Sequence, residues 1–126
     1  LKEVCYIHAE GFSSSSLKHG PFAMLDLTNL TMLLIDYTDK TNYNSLKSTY
    51  HEIISRDTNI LVITNNIEVK TDLSILDSNI LVLPNLEYYN EIIFVIALQH
   101  ICYNISIKLG INPDKPRNLA KVVTVE

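Results

Sequence analysis

With only two cysteines in 126 residues, Cys5 and Cys102, the chain cannot build a disulfide framework or a four-thiolate zinc site. Reduced thiols in a cytosolic protein are the simplest reading. Basic clusters are missing too. The 10 Lys+Arg are outnumbered by 14 Asp+Glu, for a net charge of −4. That balance argues against nucleic acid or an anionic membrane surface as a partner. No apolar run reaches the roughly 20 residues of a spanning helix. The longest, IIFVIAL at residues 92–98, gives way to Gln99, His100 and Asn104 and reads as a buried helix. The opening LKEVCYIHAE lacks the apolar core of a signal peptide. The chain starts on Leu1 rather than Met, so a fragment or processed piece of a longer protein is expected. No internal repeat or linker is visible, and the one low-complexity tract, the serines at 13–16, reads as a loop.

What is present is ordinary globular composition, 47% hydrophobic and 19% charged, enough for one domain. Three short apolar runs read as strands: residues 31–37 (TMLLIDY), 59–65 (NILVITN) and 79–83 (NILVL). None alternates cleanly with polar residues, as expected for strands covered on both faces of a parallel sheet. Helical spacing appears at residues 2–12. It recurs at 42–56, where Leu46, Tyr50, Ile53 and Ile54 form a stripe, and at 90–109. Gly110 and then Pro113 are stop signals for the last helix. Residues 68–70 and 72–77 allow a turn and a short helix. The alternation predicts an α/β fold, a three-layer sandwich around a mainly parallel sheet. Residues 112–126 form a Pro-, Asn- and charge-rich tail of the kind that docks beside a ligand.

Several chemical patterns can be weighed. His8-Ala9-Glu10 matches the H-x-E of zinc deaminases, but the accompanying P-C-x-x-C is absent. Cys5 and His8 sit three apart on the expected first helix. A structural zinc needs four ligands, so a hydrogen-bonded helix histidine is preferred and no metal is assigned. Ser15-Ser16-Leu17-Lys18 matches S-x-x-K, but S-D-N and K-T-G are missing. Lys18-His19-Gly20-Pro21 places a histidine at a forced bend outside regular helix, where its near-neutral titration suits acid–base work. Glu3 opens the first helix, where the helix dipole favours a carboxylate. Lys121 reads as a solvated tail lysine or, partly desolvated, as an amine able to form a Schiff base with a sugar carbonyl. His51, on an amphipathic helix, and His100, on a buried one, read as structural.

Two long segments then carry a resemblance. LKEVCYIHAEGFSSSSLKHGPFAML resembles the opening of the second sugar-isomerase (SIS) subdomain of the glutamine–fructose-6-phosphate aminotransferases, and KPRNLAKVVTVE resembles their C-terminal tail. With the pattern between them, the resemblance covers essentially all 126 residues. It implies a flavodoxin-like SIS subdomain, residues 1–126, whose tail begins at about residue 112. In that family a glutaminase domain releases ammonia, and two SIS subdomains turn fructose 6-phosphate into glucosamine 6-phosphate without metal or organic cofactor. Glu3 matches the glutamate that moves a proton between C1 and C2. His19 matches the ring-opening histidine, which reaches the neighbouring subunit's site. Lys121 matches the imine-forming lysine, and Ala120 a position whose backbone lies against substrate. A cytoplasmic homodimer is implied. The family usually has Gly-Glu where Ser15-Ser16 stand and Ser where Val122 stands. A further family lysine lies just before the position of Leu1, and the phosphate loop belongs to the first SIS subdomain. A non-catalytic SIS module that binds a sugar phosphate for regulation is the alternative, but such a module needs no imine lysine.

Overall fold

The computed structural model describes residues 1–118. Among these, contacts group the chain into two compact units: Phe12–Phe94, and Leu1–Gly11 together with the chain from Val95 onward. The first contains strands β1 (Leu30–Ile35), β2 (Asn59–Thr64) and β3 (Ile80–Val82), with helices α2 (Lys40–Ile54) and α3 (Glu68–Asp72) between them. The strands pair in parallel in the order β1-β2-β3, with Leu30 opposite Asn59 and Val62 opposite Ile80. The expected α/β class and parallel sheet are therefore observed, with all three strands within two residues of their predicted positions.

Local chemistry explains α2. Asp39 caps its start, its Oδ1 accepting the Asn42 amide at 3.1 Å. Tyr43, Leu46, Tyr50 and Ile53 then recur on one face and pack onto Leu33 and Ile35 of β1 and Ile60 and Val62 of β2. Ile53 and Val62 are fully buried, each contributing about 2 kcal/mol of hydrophobic stabilisation. The predicted stripe shifts by one position: Ile54 is 40% exposed and Tyr43 completes the buried face instead. Val69, Leu73 and Ile75 close the end of this core. Central strand β2 is buried along Val62, Ile63 and Thr64, as continuous apolar runs predict. Edge strand β1 departs from that pattern, because Leu34 points away from the α2 core and stays 38% exposed.

Two expectations are corrected. The first helix does not run over residues 2–12. It is a four-residue turn, α1 (Lys2–Cys5), ended by Tyr6 in the left-handed region at φ 56°. So short a helix makes too few backbone bonds to repay nucleation, and Val4, Tyr6 and Ile7 have weak helix propensity.

The long helix α4 (Asn90–Lys108) forms where predicted but is not largely buried. Ile92, Val95, Ile96, Tyr103 and Ile107 are each about half exposed, and His100 is exposed rather than buried. The reason is compositional: a helix apolar on every face needs neighbours on every face. By length and composition alone, Glu87–Lys108 is long and apolar enough to cross a membrane.

Helix α4 ends as its sequence dictates. Gly110 takes φ 70°, its amide bonds the Ile107 carbonyl and the Ile111 amide bonds the Ser106 carbonyl. This is a Schellman motif, and it needs a left-handed residue at Gly110.

Candidate functional site

Glu3 lies in the first turn of α1, exposed, with no side-chain cap before it. Buried Cys5 anchors this turn to α4, its Sγ–H donating to the Cys102 carbonyl at 3.1 Å. Because α1 stops at Cys5, Cys5 and His8 share no helix face. His8 instead lies 3.6 Å from Glu10 with its side chain 79% exposed. No group of three metal-ligating side chains occurs among the described residues.

Tyr6 follows directly. Its left-handed backbone turns the chain, and its hydroxyl oxygen accepts the Arg117 amide at 2.6 Å. The Arg117 guanidinium lies 4.2 Å above the Tyr6 ring, a cation–π contact.

In the other unit, His19 closes a 3-10 helix at Ser14–His19. The expectation that it lies outside regular helix is corrected, since His19 is the last residue of this 3-10 helix, with the bend following at Gly20, and the serines at 14–16 are helical turn rather than open loop. Gly20 follows at φ 131°, a backbone that side chains resist, and Pro21 starts the next 3-10 turn, Pro21–Met24. Both sides of His19 are held. Leu17 packs against the core and Phe22 is buried in it, while Lys18 pairs with Glu52 of α2 at 2.8 Å. Arg56 stacks over Phe22 at 4.2 Å. His19 itself is exposed. Among the described residues neither Glu3 nor His19 enters a salt bridge. Ala120 and Lys121 lie outside the described residues.

A polar cluster at the carboxyl ends of β1 and β2 was not foreseen. Asp36 Oδ1 accepts from the Thr38 amide (2.9 Å), the Thr38 hydroxyl (2.6 Å), Asn65 Nδ2 (2.7 Å) and Asn90 Nδ2 (3.4 Å). Asn65 returns a bond by accepting the Tyr37 amide at 2.8 Å, and fully buried Asn90 accepts the Leu86 amide at 2.9 Å. Burial would raise the Asp36 pKa, but the hydrogen bonds from Thr38, Asn65 and Asn90 outweigh it and hold the carboxyl below its ordinary value. Parallel α/β sheets bind ligands at this edge. Here the carboxylate is already satisfied by protein donors, so the cluster acts as a brace.

A second group joins α2 to the end of α3. Asp72 accepts from the Tyr43 hydroxyl and from Lys47, each at 2.6 Å. Burial, and then the Asp72 carboxylate, push the Tyr43 hydroxyl well above its usual range. The signal for the Asp36 cluster was positional: Asp36 and Asn65 come just after strands, in a parallel sheet's ligand-facing edge.

No family model matches the chain. It is 38% identical over 126 residues to a protein of Acanthamoeba polyphaga mimivirus named probable glutamine–fructose-6-phosphate aminotransferase (isomerizing), covering 100% of this chain and 20% of that protein. Proteins named glutamine–fructose-6-phosphate aminotransferase (isomerizing) from Brucella abortus and Bartonella henselae are 36% and 39% identical, again over 100% of this chain and 20% of theirs. The chain thus spans about a fifth of the length of the curated relatives it matches. Among solved structures, the C-terminal domain of glucosamine-fructose-6-phosphate aminotransferase from Francisella tularensis superposes with a TM-score of 0.79 at 27% identity, over 90% of this chain and 31% of that one.

Proposed function

From a chain that matches the C-terminal region of the glutamine–fructose-6-phosphate aminotransferases over its whole length, part of their isomerase domain, we propose a catalytic share in making glucosamine 6-phosphate from fructose 6-phosphate. The supporting observation is that whole-length sequence match; of the four proposed site residues, Glu3 and His19 are exposed.

The chemistry divides as follows. His19 serves ring opening, trading a proton with the ring oxygens, and does so in the neighbouring subunit's site of a homodimer. The Lys121 amine attacks C2 of the open-chain ketose and, with the C2 oxygen leaving as water, forms an imine that activates C2 toward ammonia. Ammonia released from glutamine by a separate glutaminase domain displaces the lysine. The Glu3 carboxylate then takes a proton from C1 and returns it to C2, completing the ketose-to-aldose shift. The Ala120 backbone lines the sugar. Substrate phosphate is held by the first SIS subdomain, outside this chain, and neither metal nor organic cofactor is invoked. The parent enzyme acts in the cytosol.

The test is reductive trapping. Full-length enzyme incubated with fructose 6-phosphate and borohydride should gain the mass of the reduced sugar on Lys121, and Lys121→Arg should abolish both adduct and turnover, since guanidinium stays protonated. An active enzyme labelled elsewhere, or not at all, removes this role.

A further inference from the structure

The sugar chemistry leaves both cysteines idle. Cys5 and Cys102 are free thiols 97 positions apart in sequence, yet they fall in the same compact unit and share a contact there. Cys5 is 2% exposed and donates its thiol to the Cys102 carbonyl at 3.1 Å. The Cys102 sulfur in turn lies 3.5 Å from the Leu1 nitrogen. Leu1 is the residue whose carbonyl accepts the Cys5 amide at 3.0 Å, closing the α1 turn. Two separate contacts therefore put both sulfurs where α1 meets α4.

A disulfide needs Cα atoms roughly 4.4–6.8 Å apart and its two sulfurs about 2 Å apart. Two features bring the pair within reach of that geometry. A step between staggered χ1 positions swings a cysteine sulfur by about 3 Å, which releases the Cys5 thiol from the carbonyl it now bonds. Helix α1 is a single turn of four residues, too short to be rigid on its own, so it can settle toward α4. The difference in burial sets the order of reaction: Cys102 is half-buried and meets solvent first, while Cys5 waits beneath.

We propose that Cys5 and Cys102 form a reversible redox pair, with hydrogen peroxide as oxidant and a small thiol as reductant. The Cys102 thiolate attacks one peroxide oxygen and the O–O bond breaks. Cys102 becomes a sulfenic acid, and the departing hydroxide takes up the thiol's proton as water. The Cys5 sulfur then attacks the Cys102 sulfur. The S–S bond forms, the S–O bond breaks, and the hydroxide leaves with the Cys5 proton as a second water. Two thiols and one peroxide thus give one disulfide and two waters. Two small-thiol molecules reverse the step by exchange and end as their own disulfide. Transient, redox-sensing bridges of this kind are the usual form of disulfide in a reducing compartment. The bridge makes the hold of α4 on the turn carrying Glu3 covalent, and it does not depend on the sugar reading.

The experiment uses the full-length enzyme, first reduced, then exposed to a small excess of hydrogen peroxide, alkylated and digested without reductant. Mass mapping should find the peptides of Cys5 and Cys102 joined, two hydrogens lighter than their sum, and separated again by dithiothreitol. In the folded enzyme this link should exceed every other pairing of either cysteine by about tenfold or more, and in urea that preference should vanish, because loop closure over so long a chain is then no longer prepaid. Cys5→Ser should leave a sulfenic acid on Cys102 that dimedone captures, and Cys102→Ser should leave Cys5 reduced at the same peroxide dose.

Cys102 passing to sulfinic acid in the parent enzyme while Cys5 stays a free thiol overturns the pair. So does a link that forms only in urea, or either cysteine bridging mainly to another residue. The parent measurement carries the test by itself if either serine variant fails to fold.

Discussion

Four donors converge on one oxygen of Asp36, and this makes it the most consequential polar residue in the unit containing the sheet. Its carboxyl is held below the ordinary value of 3.8 by Thr38, Asn65 and Asn90 against an opposing burial effect. A group whose pKa is depressed on folding adds stability above the unfolded pKa and loses it as pH falls through the folded one. The contribution should thus be essentially complete at about pH 5, begin to fade near the unfolded value of about 4, and be lost as pH falls further through the lower folded value. Asp36→Asn sets an amide against those donors and should cost about 1–3 kcal/mol at pH 7. It should also flatten the loss of stability between pH 5 and pH 3, as read from urea midpoints. An unchanged acid limb would remove Asp36 from this role. The sequence carries only the positions of Asp36 and Asn65 after strands; the bonds themselves are not legible there, because Asn65 and Asn90 lie 29 and 54 positions from Asp36 and match no motif. His19 was legible, because Gly20-Pro21 announces its bend on its own.

At the scale of elements, backbone geometry around His19 gives the sharpest prediction. Gly20 at φ 131° has open space where a Cβ would go, so any substitution cost there is conformational and not steric. Gly20→Ala should destabilise by about 1–3 kcal/mol and slow sugar ring opening in the full-length enzyme. Stopped-flow kinetics with ring-closed and open-chain substrates would show the defect only with the closed form. Equal slowing with both forms would mean that His19 does something else. The strands and α2 were readable because each signal is local: a β-branched run, a capping aspartate, a stripe of tyrosine and isoleucine. The extent of α1 was not readable, since Tyr6 ends it through a contact with Arg117. The placement of α4 was local too, but its burial was not. Burial belongs to whatever packs on a helix, and this chain covers few faces of α4, burying Asn90, Phe94 and Ser106.

The whole molecule spans about a fifth of its relatives, and two properties of the isolated chain follow. Val95, Ile96, Tyr103 and Ile107 on α4 are each about half exposed, and apolar side chains exposed along one helix favour association. Purified alone, the chain should self-associate at micromolar concentrations, as sedimentation velocity would reveal; a monomer at about 100 µM would contradict this reading. The alternative of a regulatory SIS module predicts sugar-phosphate binding by this chain without chemistry. The catalytic reading predicts neither alone, because the phosphate anchor and a second chain's His19 are both required. On that reading, losing the anchor would remove the remote binding energy that holds the sugar against Glu3, an effect of many orders of magnitude in rate.

The most direct measurement is therefore reconstitution. The purified chain is assayed for glucosamine 6-phosphate formation from fructose 6-phosphate with ammonia as nitrogen donor, first alone and then with the preceding SIS subdomain of the parent enzyme. The expected result is no turnover by the chain alone, turnover on addition of the missing subdomain, and loss of that turnover in Lys121→Arg. Appreciable turnover by the chain alone, or full turnover with Lys121→Arg, would contradict the assignment of Glu3, His19 and Lys121 to a shared site completed by the rest of the enzyme.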